Sequence, residues 1–154
     1  MKKLLFFFGA LCMFATASAQ KLSNTDLQGE WKLSALDNNG AHVDIISGEI
    51  TISPELKTQL TPDIISQISD GLKQSITKLK VSDVVFTGNN VKQNMAGKEK
   101  KGTFTIMEQE GKQHASFNWD NNTTSESSIW IKNKQLHIQK FEQGQIFEFI
   151  YNKA

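Results

Sequence analysis

The chain has 154 residues, of which 17 are basic and 16 acidic, for a formal charge of +1. No excess of either sign exists to draw it onto nucleic acid. Every basic residue is lysine; arginine, the usual bidentate reader of phosphate and carboxylate, is absent. An AT-rich coding bias produces the same skew, but the consequence is unchanged: the composition counts against nucleotide, phosphopeptide and nucleic-acid partners. The single cysteine is Cys12, so no disulfide can form within the chain and packing must carry the fold.

The N-terminus has three parts. Met1-Lys2-Lys3 is basic, Leu4 to Phe14 is apolar, and Ala15 to Ala19 is a run of small residues ending in the A-x-A pattern Ala17-Ser18-Ala19. That is the layout of a secretory signal peptide. The apolar run is shorter than the roughly 20 residues that span a bilayer. Residues 1–19 are therefore expected to be removed before Gln20, leaving residues 20–154 as one exported domain, periplasmic or extracellular. Leu11 stands just before Cys12, where lipid attachment needs a small residue. No second apolar run is long enough for a membrane helix, so the chain is not expected to be an integral membrane protein.

Residues 20–28 read as a polar lead-in. From Gly29 the chain alternates, with Trp31, Leu33 and Ala35 on one face, the period of a half-buried strand. Asp37-Asn38-Asn39-Gly40 is a turn cluster, and Val43 to Ile52 is a further β-rich stretch interrupted at Ser47-Gly48. The period then changes. Ser53-Pro54 and Thr61-Pro62 each place a hydroxyl cap before a proline suited to the first helical position. They predict a short helix from Pro54 to Leu60 and a longer one from Pro62 to Leu79. On the longer helix Ile65, Ile68, Leu72, Ile76 and Leu79 form one apolar stripe that must pack against something by one side. At 1.5 Å per residue this helix is about 27 Å long.

After Lys80 the period-2 pattern returns and persists. Strands are predicted near Val84–Thr87, Val91–Met95, Gly102–Ile106, His114–Trp119, Ser127–Lys132, Gln135–Phe141 and Gln145–Tyr151. Short strands at this spacing, with turns between, favour an antiparallel sandwich or barrel. Around Trp130 and along the last strand both faces are apolar, since Phe147, Phe149 and Tyr151 oppose Ile146 and Ile150. Such strands need cover on both sides, and the helix stripe is expected to pack on the outer barrel wall or over one end of the barrel.

Leu27-Gln28-Gly29-Glu30-Trp31-Lys32-Leu33 resembles the G-x-W opening strand of lipocalin-like barrels, and Gly102-Thr103-Phe104-Thr105-Ile106 resembles their mid-barrel strand. The order of leader, G-x-W strand and hairpins is similar to small secreted lipocalin-like proteins of Bacteroidetes-type bacteria. The resemblance covers Leu27 to Tyr151. It implies a mostly β, up-and-down antiparallel barrel of about eight strands, with a helical insertion at residues 54–79 and room for a small apolar ligand. It also implies that Trp31 closes the barrel floor. The chain departs from the family in its inserted helix and in lacking both the T-D-Y-type motif and the C-terminal arginine that braces the tryptophan.

Chemistry-bearing residues are sparse. His42, His114 and His137 have no metal-ligand spacing, and cysteine is unavailable; no metal or cofactor is expected. His137, between Leu136 and Ile138, is expected on the polar face. No G-x-S-x-G elbow is present, and Glu148 is expected to point outward toward a lysine. Lys98-Glu99-Lys100-Lys101 reads as a solvated hairpin tip. The aromatic residues of the last third are the remaining lead. They are either ordinary core or the lining of a pocket formed by Phe117, Trp130, Phe149 and Tyr151. The expectation is therefore a non-catalytic, exported binder of a small apolar or amphipathic ligand. Its rival is a solid-cored envelope or secreted module that docks on protein.

Overall fold

A computed structural model describes residues 21–154; the leader read at residues 1–19 lies outside them. Ten strands form one sheet: β1 (Gly29–Asn38), β2 (Ala41–Asp44), β3 (Ile50–Ile52), β4 (Asp83–Thr87), β5 (Asn90–Met95), β6 (Lys98–Gln109), β7 (Lys112–Trp119), β8 (Thr124–Lys132), β9 (Gln135–Glu142) and β10 (Gln145–Lys153). β4 to β10 run up and down in sequence order, and β10 returns to pair with β1. The result is a closed, eight-stranded antiparallel barrel. Closure removes the free edges that an open sheet would expose. β2 and β3 form a flap hydrogen-bonded to the upper half of β1, whose lower half pairs with β4.

β1 can serve two neighbours because it carries a bulge. Its register to β10 shifts between Leu33 and Ala35. The extra residue, Ser34, donates its hydroxyl to the Ile150 carbonyl (2.9 Å), and its own carbonyl accepts from Ile45 N (2.8 Å). The bulge reverses the phase of the strand. Trp31 and Leu33 point inward as their alternation predicts, but Ala35 pairs with outward-facing Ile150 and Leu36 takes the inward place opposite Phe149. The simple alternation that put Ala35 with Trp31 fails at this one inserted residue.

The helical insertion forms as its caps predict. α2 (Pro54–Gln59) and α3 (Pro62–Leu79) begin at Ser53 and Thr61, whose hydroxyls accept from Leu56 N and Ile64 N. The polar lead-in also hides α1 (Asn24–Leu27), a single turn whose Ser23 amide and hydroxyl both donate to Asp26 Oδ2 (2.8 and 2.6 Å). α1 plugs the lower end, with Leu27 wholly buried. Trp31 donates its indole N–H to the Leu27 carbonyl (2.7 Å). Lys153 Nζ lies 5.1 Å from the Trp31 ring centroid, so a lysine supplies the cation over the floor tryptophan that the missing arginine had left unassigned. Gln113 ties the preceding segment down by a double hydrogen bond to the Leu22 backbone (2.6 and 2.8 Å).

The core fills the lower barrel. Trp31, Leu33, Val84, Phe86, Val91, Phe104, Phe117, Leu136, Ile138 and Tyr151 form one buried cluster. Phe86 and Phe104 meet edge to face at 4.8 Å, a favoured aromatic geometry. β6 and β7 are drawn close at Gly102, where a Cβ atom would lie 2.1 Å from the Asn118 carbonyl oxygen. α3 lies over the upper end. Its stripe is the least exposed side of the helix, and Ile76 joins the core while Leu72 and Leu79 pack against it. The outer wall of the β9–β10 hairpin is left open instead: Phe141 and Ile146 face each other across the strands, 72% and 46% exposed.

Candidate functional site

The upper mouth of the barrel is the best-formed cavity. Strand geometry raises Leu36 and Asn38 to the top of β1, Val43 stands beside them on β2, and Phe147 does so on β10. α3 spans this ring and lowers Ile68, Leu72 and Leu79 onto it, with Leu56 from α2 and Ala96 from the β5–β6 turn at the margins. The cavity is half open to solvent and has a volume of about 580 Å³, within the roughly 300–1,000 Å³ range of small-molecule sites. Its lining is mostly apolar, with Asn38, Asn39, Ser75, Lys78 and Gln145 as the polar members. Asn38 Oδ1 is buried and has no hydrogen-bond partner among the described residues.

A larger groove of about 840 Å³ runs beside the N-terminal segment, bordered by Lys21, Asp26, Glu108, Lys112 and Lys132. Its charges are solvated and one pair is already matched, Lys21 to Glu108 at 2.6 Å. Leu22, Ile129, Trp130 and Ile131 also line it, but its lining is much more polar than that of the mouth, so volume alone does not make it the better site for an apolar body.

The aromatic residues that the sequence singles out do not form one chamber. Phe117 is in the packed core, stacked on Trp119 at 5.4 Å and 10°. Tyr151 is fully buried there. Burial pushes its phenol up, an effect that Gln93 opposes and the Asp83 charge reinforces. Phe149 is half-buried on the inner face, directly opposite cavity-lining Leu36. Trp130 is on the outer face, stacked on His137 at 5.2 Å and 12°. None of the four lines the cavity under α3, whose helical side is the stripe of Ile68, Leu72 and Leu79.

His137 corrects a second expectation. It does face outward, but it is buried rather than solvated, only 7% exposed, because Trp130 covers its ring. Its Nδ1 lies 2.7 Å from Glu148 Oε1. Glu148 thus points outward as expected, but its partner is a histidine instead of a lysine. His42 pairs with Asp37 at 2.5 Å at the flap, and His114 faces Ser128 and Met107 across β7's neighbours, so the histidines sit in separate environments.

Polar groups gather inside the upper barrel beside the cavity. Leu136 and Ile138 face inward on β9, and the next inward position is Lys140, directly opposite Phe147. Burial holds the Lys140 ammonium below the usual lysine range; Glu142 opposes that effect and Lys100 adds to it. Lys100 is exposed, as expected for this hairpin; it stands on β6 and pairs with inward-facing Gln93. Trp119 donates its indole N–H to Ser125 Oγ (2.9 Å), and Ser127 Oγ is buried without a partner among the described residues.

Set against protein-family profiles, curated proteins and solved structures, the chain matches none.

Proposed function

We propose that this is an exported, non-catalytic binding protein that holds a small apolar or amphipathic molecule in the mouth of its barrel, beneath α3. The carrying observation is the contrast between the two ends of the barrel. The lower half is filled by aromatic and aliphatic side chains, whereas the upper half leaves about 580 Å³ between α3 and the strand ends, lined by Leu36, Val43, Ile68, Leu72 and Phe147. Apolar surface left uncovered at that scale is a standing source of affinity for an apolar body, at about 25 cal/mol per Å² removed from water. Nothing in this reading requires a reacting side chain. Phe149 is the one aromatic of the expected set that adjoins this cavity.

The reading is tested by titrating residues 20–154 with N-phenyl-1-naphthylamine, a neutral apolar fluorophore, and following its emission. Saturable binding with a one-to-one end point is expected. A linear, non-saturating response would refute it. The rival reading, a protein-docking module, rests on the exposed Phe141–Ile146 pair on the outer wall. Under that reading the probe would not saturate, and Phe141→Ser would abolish partner capture.

A further inference from the structure

We propose that the ligand of the mouth cavity is a single-chain amphiphile with an anionic head, and that the head is received by Lys140 with Lys100 beside it. This rests on the cavity reading and specifies its ligand.

The argument begins with where the two lysines stand. Lys140 is on the inner face of β9, immediately across from Phe147 in the cavity wall, with its Nζ 5.8 Å from the Phe149 ring centroid. Lys100 is on the inner face of β6, with its Nζ 5.8 Å from the Trp119 ring. Rings on the flank of an ammonium offer it only the weak attraction of their faces. Neither ammonium has an ion pair or hydrogen bond among the described residues. Every other lysine among the described residues is exposed, and Lys21, Lys32, Lys73, Lys92 and Lys101 are ion-paired at the surface. An ammonium drawn partly out of water without a counter-charge is costly. Lys140 is half-buried in this way while Lys100 beside it is exposed, and the acid near Lys140, Glu142, makes no contact within ion-pair distance.

The wall also opens at this point. β8 and β9 are laddered from Lys132↔Gln135 up to Ser128↔Gln139 and no further, although both strands continue. The next residues beyond the last rung are Ser127 and Lys140. Ser127 Oγ is buried, 3% exposed as a residue, and has no partner among the described residues, which leaves an unused hydroxyl donor on the strand position across from Lys140. An unused buried hydroxyl, a half-buried unpaired ammonium and an unladdered stretch of wall thus stand across the ladder from Phe147, which lines the apolar chamber. An anion with an apolar tail satisfies all four at once: the tail occupies the chamber, and the head meets charge-assisted donors. A neutral apolar ligand leaves the lysines unpaired, and a cationic one is repelled.

The test compares three probes with one tail: dodecanoate, dodecyl phosphate and dodecanol, titrated by isothermal calorimetry at pH 7.5 below their aggregation limits. The proposal expects at least one anion to bind about tenfold or more tightly than the alcohol, the scale of one well-placed charge-assisted hydrogen bond. The tighter of the two anions then tells a carboxylate ligand from a phosphate one. Lys140→Met is expected to bring the anions down to the alcohol while leaving the alcohol unchanged. Lys140→Gln serves the same purpose should the methionine variant fail to fold. Equal binding of all three probes to the unaltered protein overturns the head-group assignment and leaves the cavity reading standing. Binding of none overturns both.

Discussion

Replacing Ile76 by alanine measures whether α3 is truly seated on the barrel. Ile76 is 6% exposed and belongs to the main core, and it is the one fully buried side chain of the helix. The change deletes about three methylene equivalents at ~0.8 kcal/mol each, roughly 2.4 kcal/mol of transfer free energy. The unfilled space adds to this, for a total near 3 kcal/mol within the usual range of about 2–5. Leu72 is only half-buried because it lines the cavity, so Leu72→Ala should lose about half as much, roughly 1–1.5 kcal/mol. Urea titration followed by tryptophan emission reads both. With a slope of about 1.5 kcal/mol per molar, the midpoint should fall by about 2 M for Ile76→Ala and by less than about 1 M for Leu72→Ala. A loss under about 0.5 kcal/mol for Ile76→Ala would refute the docking of α3 and with it the roof of the cavity.

Two further outcomes bear on the fold and on export. Gly102→Ala places a methyl where 2.1 Å separates it from the Asn118 carbonyl oxygen. It should therefore force β6 from β7 and cost at least about 3 kcal/mol, the upper end of overpacking penalties; a thermal midpoint unchanged within error would contradict that close approach. Amino-terminal sequencing of protein recovered outside the cytoplasm should begin at Gln20, and a lipid-bearing start at Cys12 would contradict a free, exported domain.

Much of the architecture was legible because local and global signals agree along most of the chain. Ser53-Pro54 and Thr61-Pro62 marked both helix starts, and the stripe from Ile65 to Leu79 marked the buried side. The strand alternation from Val84 onward marked the barrel staves. The misreadings have specific causes. Ala35 was placed inward because a bulge at Ser34 leaves no mark in a binary pattern. His137 was taken as solvated because its position is polar-facing by parity, and parity does not reveal that a tryptophan across the ladder will cover it. α1 was missed because one turn is too short to show a period, although Ser23-x-x-Asp26 is a helix-start pattern.

The site was less legible than the fold. A cavity is a property of three elements meeting, and no one segment records it. The aromatic side chains drew attention because they are large, yet Phe117 and Tyr151 serve the core and Trp130 serves the outer wall. The better signal was quieter: Lys140 breaks the inward series Leu136, Ile138 on β9, and a charge on an inward parity position is the sequence trace of a polar interior.

The central claim, that the chamber under α3 binds an apolar body, is tested most directly by filling it. Ile68 is half-buried on the cavity side of α3, so Ile68→Trp puts an indole into the chamber, whereas Trp130→Ala alters the outer wall and the groove beside the N-terminal segment. Titrated with N-phenyl-1-naphthylamine, the unaltered protein and Trp130→Ala should bind with the same dissociation constant, and Ile68→Trp should bind at least about tenfold more weakly, a difference of about 1.4 kcal/mol. Unchanged affinity in Ile68→Trp, or loss of binding in Trp130→Ala with the barrel still folded, would contradict the account.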